Sequence, residues 1–213
     1  MSREPPTPNG AAKPSPRTAG CIGPAMDTRQ HRGAAVLHTI GHGNRSLDEF
    51  RGLLLRSAIA CLVDVRAFPG SRRHPHFGRS ELERSLPKVG VAYVWEGVAL
   101  GGRRRPRADS PHVALRNASF RAYADHMESA QFREGVERLL DSAAPRPVAI
   151  MCAERLPWQC HRYMISDYLV AHGVEVLHLM DTDAPRAHNL RSEARLFDGR
   201  LVYDANTQPG LAL

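Results

Sequence analysis

The sequence predicts a single α/β domain: a mostly parallel, doubly wound sheet of about five strands with helices on both faces. Short apolar runs of strand length alternate with segments whose apolar residues recur every three to four positions. Cap and turn residues fall between these segments, as an alternating βα chain requires. The length of 213 residues suits one sizeable core.

Val36 to Ile40 is the first buried strand. After the turn Gly41-His42-Gly43-Asn44, Ser46 and Glu49 have capping-box spacing and open a helix to about Ser57, with Leu47, Phe50, Leu54 and Leu55 on one face. Ala60 to Val65 is a second strand, Ser80 to Leu86 a short helix and Val91 to Trp95 a third strand. Gly97 to Leu115 is rich in Gly, Arg and Pro and is expected to be a loop. Phe120 to Ala143 carries one or two amphipathic helices, and Pro147 to Cys152 is the fourth strand. A helix over Cys160 to His172, closed by Gly173, leads to a fifth strand over Val174 to Met180. Asp181, Asp183 and the tail Leu196 to Leu213 extend the sheet or cover its edge. Residues 1–33, broken by Pro5, Pro6, Pro8, Pro14, Pro16 and Pro24, are expected to be a disordered Pro/Arg-rich arm ahead of a domain at 34–213.

The formal charge is +7 and the pI near 9.7, which favours anionic partners, nucleotides or nucleic acid among them. The excess is mostly arginine, since Lys13 and Lys88 are the only lysines, and a GC-rich genome gives the same bias without a functional cause. Cys21, Cys61, Cys152 and Cys160 form no disulfide framework and are expected to be reduced. With no signal-like start and no apolar run of about 18 residues, a cytoplasmic location without a membrane partner is expected. The oligomeric state is not legible.

Ligands of open parallel sheets sit beyond the carboxyl ends of the strands. On the strands above, that rim gathers His42 and Asn44, then Asp64 and Arg66, then Trp95 and Glu96, then Cys152 and Glu154, and finally Asp181. The loop after Asp64 adds Arg72, Arg73, His74 and His76 between Phe68 and Phe77, a set suited to clamping phosphate while a ring stacks on a base. Gly101-Gly102 before Arg103, Arg104 and Arg105 permits close backbone approach to a ligand. Cys152 at a strand end and Cys160-His161-Arg162 at a helix start have the surroundings that favour a thiolate, with Glu154 beside them as a general acid or base. Inert burial of Cys152 and simple capping by Cys160 and His161 are the plain alternatives.

The blocks Thr39-Ile40-Gly41-His42-Gly43-Asn44, Val63-Asp64-Val65-Arg66 with Pro69 and Ser71-Arg72, Leu100-Gly101-Gly102, and Cys152-Ala153-Glu154 with Pro157 and Cys160-His161-Arg162 occur in this order. Together, over about residues 36–182, they resemble domain-of-unknown-function family 488. The resemblance implies a compact α/β domain with the four blocks in one site, and it implies no reaction.

Three functions follow from these residues. The favoured one is an enzyme, hydrolase-type or thiol-dependent, acting on a nucleotide or nucleic acid by base or sugar chemistry. Its catalytic candidates are Glu154, Asp64, Cys152 and Cys160, and its binding residues His42, Asn44, Arg66, Arg72, Phe77, Trp95, Gly102, Arg103, His161 and Arg162. The second is a metal-binding or thiol redox protein; no cofactor is specified, and a divalent metal is the one these ligand types admit, although the C-x7-C-H spacing is not that of a structural zinc site. The third is a nucleic-acid-binding module without catalysis.

Overall fold

A computed structural model describes residues 36–70, 72–181 and 184–204. The expected arm at 1–33, Cys21, Ser71, Asp183 and the end of the tail from 205 lie outside the described residues.

The chain runs β1 (Val36–Gly41), α1 (Leu47–Arg56), β2 (Cys61–Asp64), α2 (Arg79–Ser85), β3 (Ala92–Trp95), α3 (Gly97–Leu100), α4 (Ala118–Met127), α5 (Ala130–Ala143), β4 (Val148–Cys152), α6 (Arg162–Ala171), β5 (Glu175–Leu179), β6 (Arg186–Ala187), β7 (Ala194–Phe197) and β8 (Arg200–Tyr203). Single 3-10 turns occur at Pro75–Phe77, Pro87–Val89 and Pro157–Gln159. The expected capping box is present, with the Ser46 hydroxyl accepting from Glu49 N–H and the Glu49 carboxylate accepting from Ser46 N–H. Asn117 and Ser129 cap α4 and α5 in the same manner, so Phe120 to Ala143 is two helices.

The central sheet has the order β3-β2-β4-β1-β5-β6, parallel throughout except for β6. It has six strands where about five were expected. The sixth is two exposed residues running antiparallel to the edge of β5, too short to show a period. Gly97–Leu100, expected to lie in a loop, forms a helical turn packed on α5: a Cβ at Gly135 would meet Ala99 and Leu100 at 2.6 and 3.0 Å, so only glycine lets the two helices approach. β7 and β8 form a separate hairpin. Its turn residues Asp198 and Gly199 both have positive φ, 52° and 75°, as a two-residue hairpin turn requires.

Side-chain alternation divides the core between the two faces. Leu37, Val63, Val65, Ile150 and Cys152 pack with residues of α4, α5 and α6, including Tyr123, Phe132, Leu139 and Met164. Ile40, Leu62, Ala149 and Met151 pack with Phe50 and Leu54 of α1 and with Phe77, Leu82 and Leu86. Each fully buried Leu, Phe or Met side chain contributes about 1.5–3 kcal/mol of transfer free energy. The chain leaves β1 for β2 and β3 across one face, then returns across the other to insert β4 between β1 and β2. This reversal places Gly41, Cys152, Asp64 and Trp95 at the carboxyl ends of four neighbouring strands, with Gly41 paired to Cys152 and Asp64 to Trp95, while Asp64 pairs across β4 with Met151, one residue before Cys152.

Candidate active site

Asp64 pairs with Met151, so Cys152 lies one residue further along and alternation points the two side chains to opposite faces of the sheet. Two clusters result, one on each side of β4.

The first cluster lies on the α1/α2 face. Asp64 is fully buried and accepts from Arg66 through N–H (3.0 Å), Nε (2.9 Å) and Nη2 (2.6 Å), and from the Tyr93 hydroxyl (2.7 Å). Arg66 Nη2 also donates to Phe77 O (2.8 Å), and Nη1 lies 3.3 Å from His42 Nε2. The Gly43 carbonyl accepts from His42 Nδ1 at 2.9 Å, which leaves Nε2 as a bare acceptor facing Arg66. Burial, then the Arg66 charge, hold His42 down at a pKa of about 4. Burial opposes the Arg66 charge, yet hydrogen bonding to Asp64 and its charge raise Arg66; burial and the Asp64 charge also push Tyr93 up. Every charged atom of the Asp64–Arg66 pair is engaged.

Phe77, expected to stack on a base, is fully buried with its ring on His42, centroids 4.3 Å apart, so no face is free for a ligand. Trp95 donates from Nε1 to Arg66 O (2.9 Å) and carries the Arg79 guanidinium 4.4 Å above its ring. Arg72 and Arg103 are exposed, the latter with positive φ and 5.6 Å from the ring of exposed Phe68.

The second cluster lies on the α6 face. Cys152 ends β4, and the loop Ala153–Cys160 brings the chain back to α6, which starts at Arg162. His161 Nε2 is 2.9 Å from Val65 O. A carbonyl only accepts, so Nε2 carries hydrogen, and Nδ1, 3.8 Å from Cys152 Sγ, is the nitrogen that exchanges a proton with the thiol. Gly102 backs the imidazole, where a Cβ would meet Nδ1 at 3.0 Å. A hydrogen bond from Cys160 pulls the Cys152 thiol well below its ordinary value against the effect of burial, helped by the charge and hydrogen bond of His161 and the charge of Arg162. Burial opposes the His161 imidazolium, but the Cys152 charge and hydrogen bond and the Val65 carbonyl outweigh it and raise His161. Cys160 goes well up, chiefly through its hydrogen bond to Cys152 and through burial. These influences favour negative charge on Cys152 and a proton on His161 and on Cys160.

Arg162 is the least satisfied member. Its side chain is 1% exposed, Nη2 donates to Arg155 O at 3.2 Å, and Nε and Nη1 have no hydrogen-bond partner. It lies against Gly41, where a Cβ would fall 2.7 Å from Nη1 and inside the contact radius of Glu154 O; the missing side chain of Gly41 is therefore required by the returning loop. Two buried guanidinium nitrogens with free N–H groups are costly unless an anion faces them.

Asn44 and Glu154 belong to neither cluster. Both are exposed, Asn44 lying 3.5 Å from Arg155. Arg45 and Arg155, which sequence reasoning missed, both hold Asp181 on this outer rim, and Arg45 also donates to Gly41 O. They border a cleft of about 340 Å³ with Glu49 and Arg56. Basic residues flanking a strand end were the available signal, but the partner Asp181 is remote in sequence. Among the described residues, no three His, Cys, Asp or Glu side chains are placed to hold one metal ion, and no helix is long and apolar enough to cross a membrane.

Neither a curated protein nor a solved structure matches the chain. Residues 46–169, from the cap of α1 to the last turn of α6, match the sequence profile of a family described as Domain of unknown function DUF488, and this span holds the Asp64–Arg66 pair together with Cys152, Cys160, His161 and Arg162. More than half of the sequence is covered, and the chain belongs to the DUF488 family.

Proposed function

We propose that the protein is a thiol-dependent enzyme in which Cys152 is the nucleophile, His161 its proton partner, and Arg162 with the start of α6 the binding element for an anionic group. The observation that carries this is the Cys152–His161 contact, with His161 oriented by Val65 O so that Nδ1 faces the sulfur. Nucleophile, base and orienting group in series is the arrangement that activates a thiol. The free N–H groups of Arg162 and the helix N-terminus supply what a phosphate, carboxylate or developing oxyanion requires. For a nucleotide the outer surface offers a stacking ring in Phe68, 72% exposed with the Arg103 guanidinium 5.6 Å from it.

The expectation that Asp64 or Glu154 moves the proton has less support. Both oxygens of Asp64 are taken by Arg66 and Tyr93, and the Glu154 side chain is turned to solvent.

Iodoacetamide labelling of Cys152 as a function of pH tests the reading. Labelling is expected to be complete near pH 7 and to follow a midpoint below neutrality that moves up toward the ordinary thiol value, about 8.5, in His161→Gln. A wild-type midpoint at the ordinary value, unchanged by His161→Gln, would sink it.

A further inference from the structure

The cleft on the outer rim is built from residues that the thiol chemistry proposed above does not use. It encloses about 340 Å³ and is lined by Asn44, Arg45, Glu49, Arg56, Arg155 and Asp181, with Leu53 as its one apolar residue. This volume is at the small end of ligand pockets, and a lining with so little apolar surface suits a compact, charged ligand. Arg45 is 5% exposed and is fixed from behind, its Nη1 donating to Gly41 O. It meets Asp181 Oδ1 through Nε (2.9 Å) and Nη2, while Arg155 grips Oδ2 through Nε (2.7 Å) and Nη2. Two guanidiniums thus converge on one carboxylate, each holding one oxygen. Arg56, exposed at the end of α1, completes the set and has no ion pair or hydrogen bond among the described residues.

The charges around Asp181 do not balance. Glu49 is committed to the cap of α1, accepting from Ser46 N–H (2.7 Å) and from the Ser46 hydroxyl (2.9 Å). Arg45, Arg56 and Arg155 carry three positive charges against the two negative charges of Glu49 and Asp181, an excess of one. With Asp181 swung out the excess is two. A phosphate monoester, with a charge near −2 and three strong acceptor oxygens, neutralises that excess, whereas a carboxylate or a phosphodiester carries half of what is needed. Asp181 can yield its place: it and Arg155 are 45% and 46% exposed, and ion pairs so open to water are weak enough to exchange.

We propose that this cleft binds a small phosphate monoester, with Arg45, Arg56 and Arg155 on the phosphate and Asp181 as the built-in anion that the ligand displaces. The site is distinct from the anion-binding element at Arg162, and it stands whether or not Cys152 is the nucleophile.

The test titrates the full chain with methyl phosphate by calorimetry at about pH 8, where a monoester is a dianion, and repeats the titration with dimethyl phosphate, a monoanion of similar size. The expected result is saturable binding of methyl phosphate and none of dimethyl phosphate at the same concentration. Arg56→Gln is expected to weaken methyl phosphate binding about tenfold, with part of the loss restored in Arg56→Lys, and Asp181→Asn to strengthen it about tenfold by removing the competitor. Arg56 and Asp181 are both exposed, so neither change disturbs the core. No saturable binding to the wild-type chain overturns the proposal. Equal binding of dimethyl phosphate overturns the monoester as ligand and points to a nucleic-acid backbone instead. Binding that is lost in Arg162→Met but kept in Arg56→Gln puts the anion at the start of α6, which overturns the cleft as its site and leaves the thiol reading untouched.

Discussion

The two faces of the strand-end rim hold buried arginines of opposite kinds. Arg66 is matched to Asp64 by three donors, and its remaining N–H groups reach Phe77 O and His42. Arg162, equally buried, donates to a single carbonyl and has two nitrogens without a partner. A closed set of hydrogen bonds fixes a loop and has nothing left for a ligand. An open set keeps donors in reserve, and it is the open set whose charge acts on Cys152. The Asp64–Arg66 loop thus serves as the frame: its Val65 carbonyl orients His161, and Phe77, whose carbonyl Arg66 holds, is packed on His42 rather than offered to solvent.

The difference can be broken most sharply by removing one cation at a time. Arg66→Met leaves the Asp64 carboxylate buried without its counter-charge and is expected to destabilise the fold by about 3–5 kcal/mol, read as a lower urea midpoint. A loss under about 1 kcal/mol would mean that the pair is not the frame it looks to be.

Acid should open the closed set next. His42 has a folded pKa of about 4 against 6.5 for the free side chain, so between these values the unfolded chain binds the proton and the folded one does not. Its contribution is fully present above pH 6.5 and is lost as pH falls toward 4, on the order of 2 kcal/mol. Urea midpoints measured from pH 7 to 4 should fall accordingly, and His42→Gln, which keeps an acceptor for Arg66, should flatten the slope.

Arg162→Met is the smallest expected change in stability, within about 1 kcal/mol of wild type or slightly favourable, because a poorly satisfied buried charge is exchanged for an apolar chain of similar volume. The Cys152 labelling midpoint should rise in the same variant. A loss comparable to that of Arg66→Met would show that Arg162 is satisfied in solution and not held open for an anion.

The strands of the sheet were legible because buried parallel strands are written as unbroken apolar runs, such as Val148-Ala149-Ile150-Met151. The rim followed from them: Gly41 pairs with Cys152, and Asp64 pairs with Met151, one residue short of it. The split between faces depends on the pairing register, which sets Asp64 opposite Met151 and which no single strand's sequence states. Phe77 is likewise placed by packing: the composition of its loop suggests a ring on offer, whereas the ring fills the space beneath His42. The β7–β8 hairpin, not expected within the tail, has a local signal in Asp198-Gly199 between apolar pairs. Other features had no local signal at all. Thr39, His178, His188, Asp167 and Tyr203 form one buried chain of hydrogen bonds of 2.7 to 3.0 Å, drawn from five separate elements and segments. The unpaired nitrogens of Arg162 are visible only once the loop over Gly41 is in place.

The position of β1 bears on how the site comes into being. It is an inner strand, yet both of its neighbours come late in the sequence, Leu37 pairing with Val148 on one side and Val176 on the other. A chain emerging from the ribosome can close β2, β3 and α2 on one another well before β1 has any partner. Such long-range pairings slow folding and leave an unpaired strand exposed to misassociation. The insertion of β4 then joins β1 to β2, and since β4 ends in Cys152, the thiol meets His161 and Arg162 only as the domain closes. An early, partly folded chain should therefore carry an ordinary cysteine, and its reactivity would report the final step of folding.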